Sequence, residues 1–245
     1  MSPSITLATA VRVLAQLRRD PRTLVLVLLV PPLLLTLFKY VFAGEAAVFD
    51  RIGGPLVGLF PFTSMFVVTS IAMLRERTSG TLERLMTMPL AKLDLLPGYG
   101  VAFAGVATVQ AGISSAVAFG PLGLDVAGST TVVILLAIAN ALLGMSLGLF
   151  VSAFATTEFQ AVQFMPAFVL PQILLCGLVQ QRDRMAAALE WISYALPLTY
   201  AYDALRRVAG LGELGRSVAL DAAVVVAVTI VALALGAATL RRRTG

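Results

Sequence analysis

Apolar stretches of nearly constant length alternate with short polar ones along this chain. The apolar runs fall at about 23–43, 55–74, 97–119, 130–155, 159–179 and 218–240. Each holds about 20 residues, enough for a helix to cross roughly 30 Å of hydrocarbon. Six membrane spans are therefore predicted, all helical, because a chain in lipid must satisfy its backbone hydrogen bonds internally. Pro31, Pro32, Pro61, Pro166 and Pro171 lie inside these runs, where lipid-embedded helices tolerate kinks.

The polar intervals have patterns of their own. Before the first run, ITLATAVRVLAQLRRD places Leu7, Ala10, Val11, Leu14 and Leu17 on one helical face, with Arg12, Gln16 and Arg19 opposite and Arg18 at the border. This predicts an amphipathic helix within 1–22, lying on the membrane surface with Arg18 reaching the headgroups. The alternative is a short solvated helix packed on the protein's own loops. Segment 180–217 is too charged to span, yet Trp191, Tyr194, Tyr200 and Tyr202 suit an interface belt. It predicts short helices at the outer leaflet, acting as an exit gate or as a plain cap.

The third interval, 75–96, carries Arg75, Glu76, Arg77, Glu83, Arg84, Lys92 and Asp94. A charge at bilayer centre costs about 2.5–3.5 kcal/mol on insertion scales, so this stretch stays outside. Ser79-Gly80 offers a break, and Ser79 or Thr81 is a candidate cap for a new helix with Glu83 in its first turn. Leu82, Leu85 and Met86 share a face, and Pro89 limits the length. The segment reads as a helical elbow, a break, a short amphipathic helix and a stop; a solvated connector is the alternative.

Composition agrees with lipid as the main solvent. Hydrophobic residues make up 59% of the 245 and charged residues 13%, against about 25% charged in soluble domains. The net charge of +5 is explained by orientation better than by nucleic acid. Eleven Lys and Arg fall on the side of both termini and 75–96, seven on the other, and five of those seven sit in the single long segment 180–217. Both termini are therefore expected to be cytoplasmic. The first apolar run lacks a small-residue cleavage pattern, so no cleavable signal peptide is expected. The preference for Arg over Lys, with abundant Ala, Val and Leu, fits a high-GC bacterium and its plasma membrane.

Several chemistries are excluded. There is no histidine and one cysteine, Cys176, which removes the commonest general base, Cys/His zinc sites and any disulfide within the chain. No catalytic or metal-binding set is expected. Lys39 and Lys92 follow Phe38 and Ala91, so no Gly-Lys-Ser/Thr phosphate loop exists and any use of ATP needs a separate chain. No acidic residue stands at mid-membrane depth for a proton relay, which counts against a proton-driven carrier. Gln110, Asn140, Gln163 and Gln172 are polar residues within spans, either lining a substrate path or bonding helices together. Gly144/Gly148 and Gly54/Gly58 have small-x-x-x-small spacing, suited to packing within one subunit or to a dimer seam.

RERTSGTLERLMTMP, at Arg75–Pro89, resembles the cytoplasmic signature of type-2 ABC exporter permeases through Glu76, Gly80, Thr81, Glu83, Leu85 and Pro89. ALPLTYAYDALRRV, at Ala195–Val208, is similar to the stretch this family carries outside the membrane before its last span, through Pro197, Tyr200, Ala204 and Arg206. The span plan matches over essentially the whole chain, and the antibiotic-resistance branch, resembling daunorubicin-type permeases, is nearest in flavour. The resemblance implies a coupling helix at 75–89 seated in a groove of an ABC ATPase subunit. It also implies a second permease subunit, identical or related, no cofactor in this chain with ATP and Mg bound by the partner, and an amphipathic drug or lipid as cargo. An ion-coupled carrier working without an ATPase, and a membrane scaffold that merely recruits a cytosolic protein, are the competing functions.

Overall fold

The computed structural model describes residues 3–80 and 92–239, and all regular structure among them is helical. In chain order the helices are α1 Pro3–Arg19, α2 Pro21–Val41, α3 Ala46–Thr78, α4 Lys92–Phe119 and α5 Thr130–Val151, followed by α6 Glu158–Phe164, α7 Leu170–Leu175, α8 Ala187–Tyr194, α9 Pro197–Leu211 and α10 Arg216–Ala238.

Among the described residues, five helices are long and apolar enough to cross a membrane: Pro21–Val41, Ala47–Thr78, Pro97–Phe119, Thr130–Phe154 and Arg216–Ala238. The expected fifth span, 159–179, is not one helix. It is α6, a π turn over Met165–Val169, and α7. Pro166 and Pro171 lack the N–H groups that would extend the i→i−4 ladder. The Leu170 N–H instead reaches back five residues to the Met165 carbonyl, the wider turn that absorbs such a break. The second expected span is longer than its apolar run: α3 begins nine residues before Pro55, and Phe49 of that extension is buried in the core.

α3 and α5 form the centre. A Cβ at Gly144 would strike the Phe62 carbonyl, and one at Gly148 the Phe66 carbonyl, so the two backbones touch. A Cβ at Gly54 would strike the Ala209 methyl group, and one at Gly58 the Leu205 side chain, both on α9. Both small-residue motifs are thus used in packing within this chain. The Thr69 hydroxyl donates to Met145 O at 3.1 Å across the α3–α5 seam. Phe62, Phe66, Leu143 and Leu147 fill the space beside it. α2 and α10 lie outside this pair and turn apolar side chains outward: Leu26, Leu29, Leu33 and Leu37 on α2, Leu220, Ile230 and Leu235 on α10. Exposed apolar stripes of this length are favourable against lipid.

α1 is helical as expected, but its apolar stripe is divided. Ala10 and Val13 are buried with Tyr99, Ala102 and Phe103 of α4, while Leu7, Val11 and Leu14 are exposed. Arg12, expected on the polar outside, points inward. Only Asp20 separates α1 from α2: its carboxylate accepts from Thr23 N at 3.2 Å and Thr23 Oγ1 at 2.6 Å, and Pro21 opens the helix where a missing N–H costs nothing. Segment 180–217 forms α8, α9 and the start of α10. Gly212, at φ +67°, ends α9 in the left-handed conformation that favours glycine.

Candidate functional site

The C-terminal end of α3, where the charged stretch begins, is held by polar contacts from three other helices. The Tyr99 hydroxyl of α4 donates to Glu76 Oε2 at 2.7 Å and accepts from Arg12 of α1. The Arg12 guanidinium lies 3.6 Å from the same carboxylate and 5.4 Å from the Tyr99 ring centroid. One residue earlier, Arg75 grips Glu158 at the start of α6 with two nitrogens, Nε at 2.7 Å and Nη2 at 3.0 Å. That fork geometry makes an arginine–carboxylate pair directional. It holds the Glu158 carboxyl below its ordinary pKa. Nε and Nη2 of Arg77 are shielded from solvent without a hydrogen-bond partner. Gly80 ends the described part of the stretch at φ +71°, which a side chain rarely adopts. Thr81, Glu83, Leu85 and Pro89, which carry the expected coupling helix, lie outside the described residues.

Directly beside this end lies a cavity of about 990 Å³ among α1, α2, α3 and α4, with Met165 of the π turn on its edge. Leu26, Val30, Leu34, Phe60, Val67 and Ile71 make its walls apolar, and Asp20, Thr23, Arg75, Glu76 and Ser79 make its mouth polar. The Asp20 carboxyl is held below its ordinary pKa by the Thr23 hydroxyl first and the Thr23 N–H second. Arg75 and Glu76 therefore belong at once to the polar junction and to the rim of the cavity.

The polar span residues are scattered rather than gathered around this space. Gln110 is buried behind its wall: Nε2 donates to Val27 O at 2.6 Å and to Ser64 Oγ at 2.9 Å, tying α4 to α2 and α3. Asn140 is buried on α5 against Gly58. Gln172, also buried, donates to Phe168 O and accepts from Leu198 N at 3.4 Å, joining α7 to α9. Gln163 is exposed on α6. Thr63 and Ser64 are the polar span residues that do line the cavity.

At the opposite end of the bundle, Pro197 occupies the first turn of α9 and the Tyr200 hydroxyl donates to Tyr194 O at 2.7 Å, fixing α8 to α9. Ala204 is buried and Arg206 is exposed. The structure adds ion pairs that no sequence pattern announced. Arg182 Nη2 meets Asp203 Oδ2 at 2.6 Å, with both side chains largely buried. Arg207 lies 3.5 Å from both Glu213 and Asp221. Among the described residues no group of three or more His, Cys, Asp or Glu could hold a metal ion.

Residues 6–209 match the family model of the ABC-2 type transporter. The probable multidrug ABC transporter permease YbhR of Escherichia coli K12 is 28% identical over 153 residues, covering 62% of this chain and 42% of its own. ABC transporter G family member 20 of Dictyostelium discoideum is 25% identical over 157 residues, covering 64% and 22%. The inner membrane transport permease YhhJ of Escherichia coli K12 is 27% identical over 135 residues, covering 55% and 36%. The matched region thus spans less than half the length of each of these relatives.

Proposed function

The chain belongs to the ABC-2 type transporter family, and on that premise we propose that it is the membrane-spanning permease subunit of an ATP-driven exporter. It works with a second permease subunit and with two ATPase subunits that dock on residues 75–89 from the cytoplasm. In this reading both termini are cytoplasmic, the interrupted segment α6–α7 completes six spans in a bacterial plasma membrane, and the open face of α1 (Leu7, Val11, Leu14) rests in the cytoplasmic leaflet with Arg18 at the headgroups. The cargo is amphipathic: its apolar body fits the walls of the large cavity and its polar end fits the mouth. Relatives described as multidrug permeases agree with a cavity of that character.

The observation that carries the proposal is the double membership of Arg75 and Glu76. Both stand on the cavity rim, both sit at the start of the docking stretch, and both are clamped to other helices. A push that reaches Arg75 and Glu76 is thereby delivered to α1, α4 and α6 and to the cavity mouth. The test is co-purification of the chain with its ATPase, followed by substrate-stimulated hydrolysis. Glu83→Arg should abolish both association and transport while leaving the membrane assembly intact. Undiminished association would refute the docking site, and transport by the chain alone would refute the ATP-driven mechanism.

A further inference from the structure

A second cavity, of about 300 Å³, lies between α8 and α9. It is at the other end of α3 from the first: Gly54 of α3 packs on Ala209 of α9, and Glu76 is bonded to Tyr99 twenty-two residues on, about 33 Å at helical rise. Its walls are polar and charged, including Arg182, Asp183, Glu190, Tyr202, Asp203 and Arg206. Gly177, at φ +104°, brings the turn after α7 against it; a Cβ there would lie 3.2 Å from the Tyr202 ring.

Two of these charges are already paired. Arg182 is bonded to Asp203 through Nη2 and lies 5.4 Å from the Tyr194 ring centroid, while its Nη1 is buried with no hydrogen-bond partner among the described residues. The Glu190 carboxylate accepts from the Tyr194 hydroxyl at 3.3 Å but has no cation partner among the described residues. Arg206 and Asp183 form no ion pair among the described residues either. The groups on this small cavity without an ion-pair partner are therefore one guanidinium and two carboxylates, with the spare Nη1 of Arg182 beside them. That pattern complements a ligand bearing an anion and an ammonium a few ångströms apart.

α8 shows what else the ligand carries. The helix that gives Glu190 and Tyr194 to the cavity exposes Leu189, Trp191 and Ile192, with Trp191 at 74% of its free surface. A short helix with one polar face and one tryptophan-bearing apolar face lies at the boundary between headgroups and acyl chains. We propose that the cavity binds the headgroup of an amine-bearing phospholipid in the leaflet at this end of the protein. The phosphate faces Arg206 and the Tyr202 hydroxyl, the ammonium faces Glu190 and Asp183, and the acyl chains run along Leu189 and Ile192. The guanidinium fork suits phosphate oxygens. The volume, at the small end of ligand cavities of about 300–1,000 Å³, suits a headgroup rather than a whole amphiphile. On the orientation proposed above, this is the outer leaflet.

Trp191 is the only tryptophan in the chain, and its ring centroid is 6.3 Å from that of Tyr194, so its emission reports on the site directly. The full chain, purified in a non-ionic detergent, is titrated with dihexanoyl phosphatidylethanolamine, dihexanoyl phosphatidylglycerol and soluble glycerophosphoethanolamine. Phosphatidylethanolamine should give a saturable shift with a midpoint about tenfold below the other two, the range expected for one charge-assisted bond. Arg206→Gln and Glu190→Gln should each raise that midpoint about tenfold with the lipid-free emission unchanged; the glutamine at 190 still accepts from Tyr194. Asp183→Asn, in an exposed turn, replaces Glu190→Gln if the latter fails to fold. Equal midpoints for the two lipids, or midpoints unmoved by the variants, would overturn the site. Soluble headgroup binding as tightly as the lipid would overturn the lipid assignment. None of these outcomes touches the exporter reading, which rests on the opposite end of the molecule.

Discussion

The Tyr99 hydroxyl donates to the Glu76 carboxylate at 2.7 Å, and Arg12 contacts both partners. Helices α1, α3 and α4 thereby share one junction at the C-terminal end of α3. Tyr99→Phe keeps the ring, its packing and its contact with the arginine, and removes only the hydroxyl. A hydrogen bond to a charged group contributes about 1.5–3 kcal/mol. Substrate-stimulated ATP hydrolysis by the assembled transporter should fall about tenfold or more, while ATPase association persists, because the docking residues are unchanged. Wild-type stimulation in Tyr99→Phe would remove the junction from the coupling route.

The glycines of α5 make a paired prediction about the core. Gly144→Ala drives a methyl group into the Phe62 carbonyl, a backbone atom that cannot swing aside. Overpacking of this kind costs about 1–3 kcal/mol or more. Gly105 on α4 has nothing within 4 Å of a new Cβ, and alanine there gains about 0.5–1 kcal/mol of helix propensity. Thermal midpoints in detergent should therefore diverge, falling for Gly144→Ala and rising or staying unchanged for Gly105→Ala.

Acid should weaken the clamp between α3 and α6. Arg75 depresses the Glu158 pKa in the folded chain. Its contribution is therefore present above the ordinary carboxylate value and lost as pH falls through the lower, folded value. Asp20, depressed by its bonds to Thr23, follows the same sign. Stability should be flat from pH 8 to 5 on account of these two groups and decline below about pH 4. Glu158→Gln should remove part of that decline and Asp20→Asn a further part, the asparagine still capping α2. Both sites are exposed, so the effect is small. A decline identical in the double variant would assign it to other carboxylates.

Arg182 and Asp203 call for a double-mutant cycle. Removing Arg182 alone leaves the Asp203 carboxylate buried without its cation, a loss of about 3–5 kcal/mol. Replacing both by leucine should cost less than the sum of the single changes, because the stranded charge goes with its partner. Simple additivity in thermal or denaturant midpoints would show that the pair is not coupled.

Much of this architecture was legible because lipid imposes a length on every crossing helix. The apolar runs locate α2, α4, α5 and α10, and the start of the charged stretch coincides with the end of α3. Three features were hidden for identifiable reasons. Pro166 and Pro171 signal irregularity but not that a π turn would take it up, since that depends on which carbonyl the Leu170 N–H can reach. Arg12 looked solvent-facing because helical periodicity knows nothing of Tyr99, 87 residues away. Arg182 and Asp203 sit in a segment rich in charge, where nothing local distinguishes a buried pair from two solvated groups. The polar span residues Gln110 and Gln172 were visible as polar, but their bonding to neighbouring helices is a property of the packed bundle.

α3 runs unbroken for 33 residues, about 50 Å at helical rise, well beyond the thickness of the hydrocarbon it crosses. Both its tips therefore stand clear of the lipid, one in the junction with Tyr99 and Arg12, the other against α9. A rod of that length is a lever arm between the two ends of the bundle. Pivoting on the glycine seam near its middle by about 5°, it would carry each tip some 2 Å in opposite directions, given its length. A displacement of that size is comparable to a hydrogen-bond length, enough to separate the Tyr99 hydroxyl from the Glu76 carboxylate at one tip.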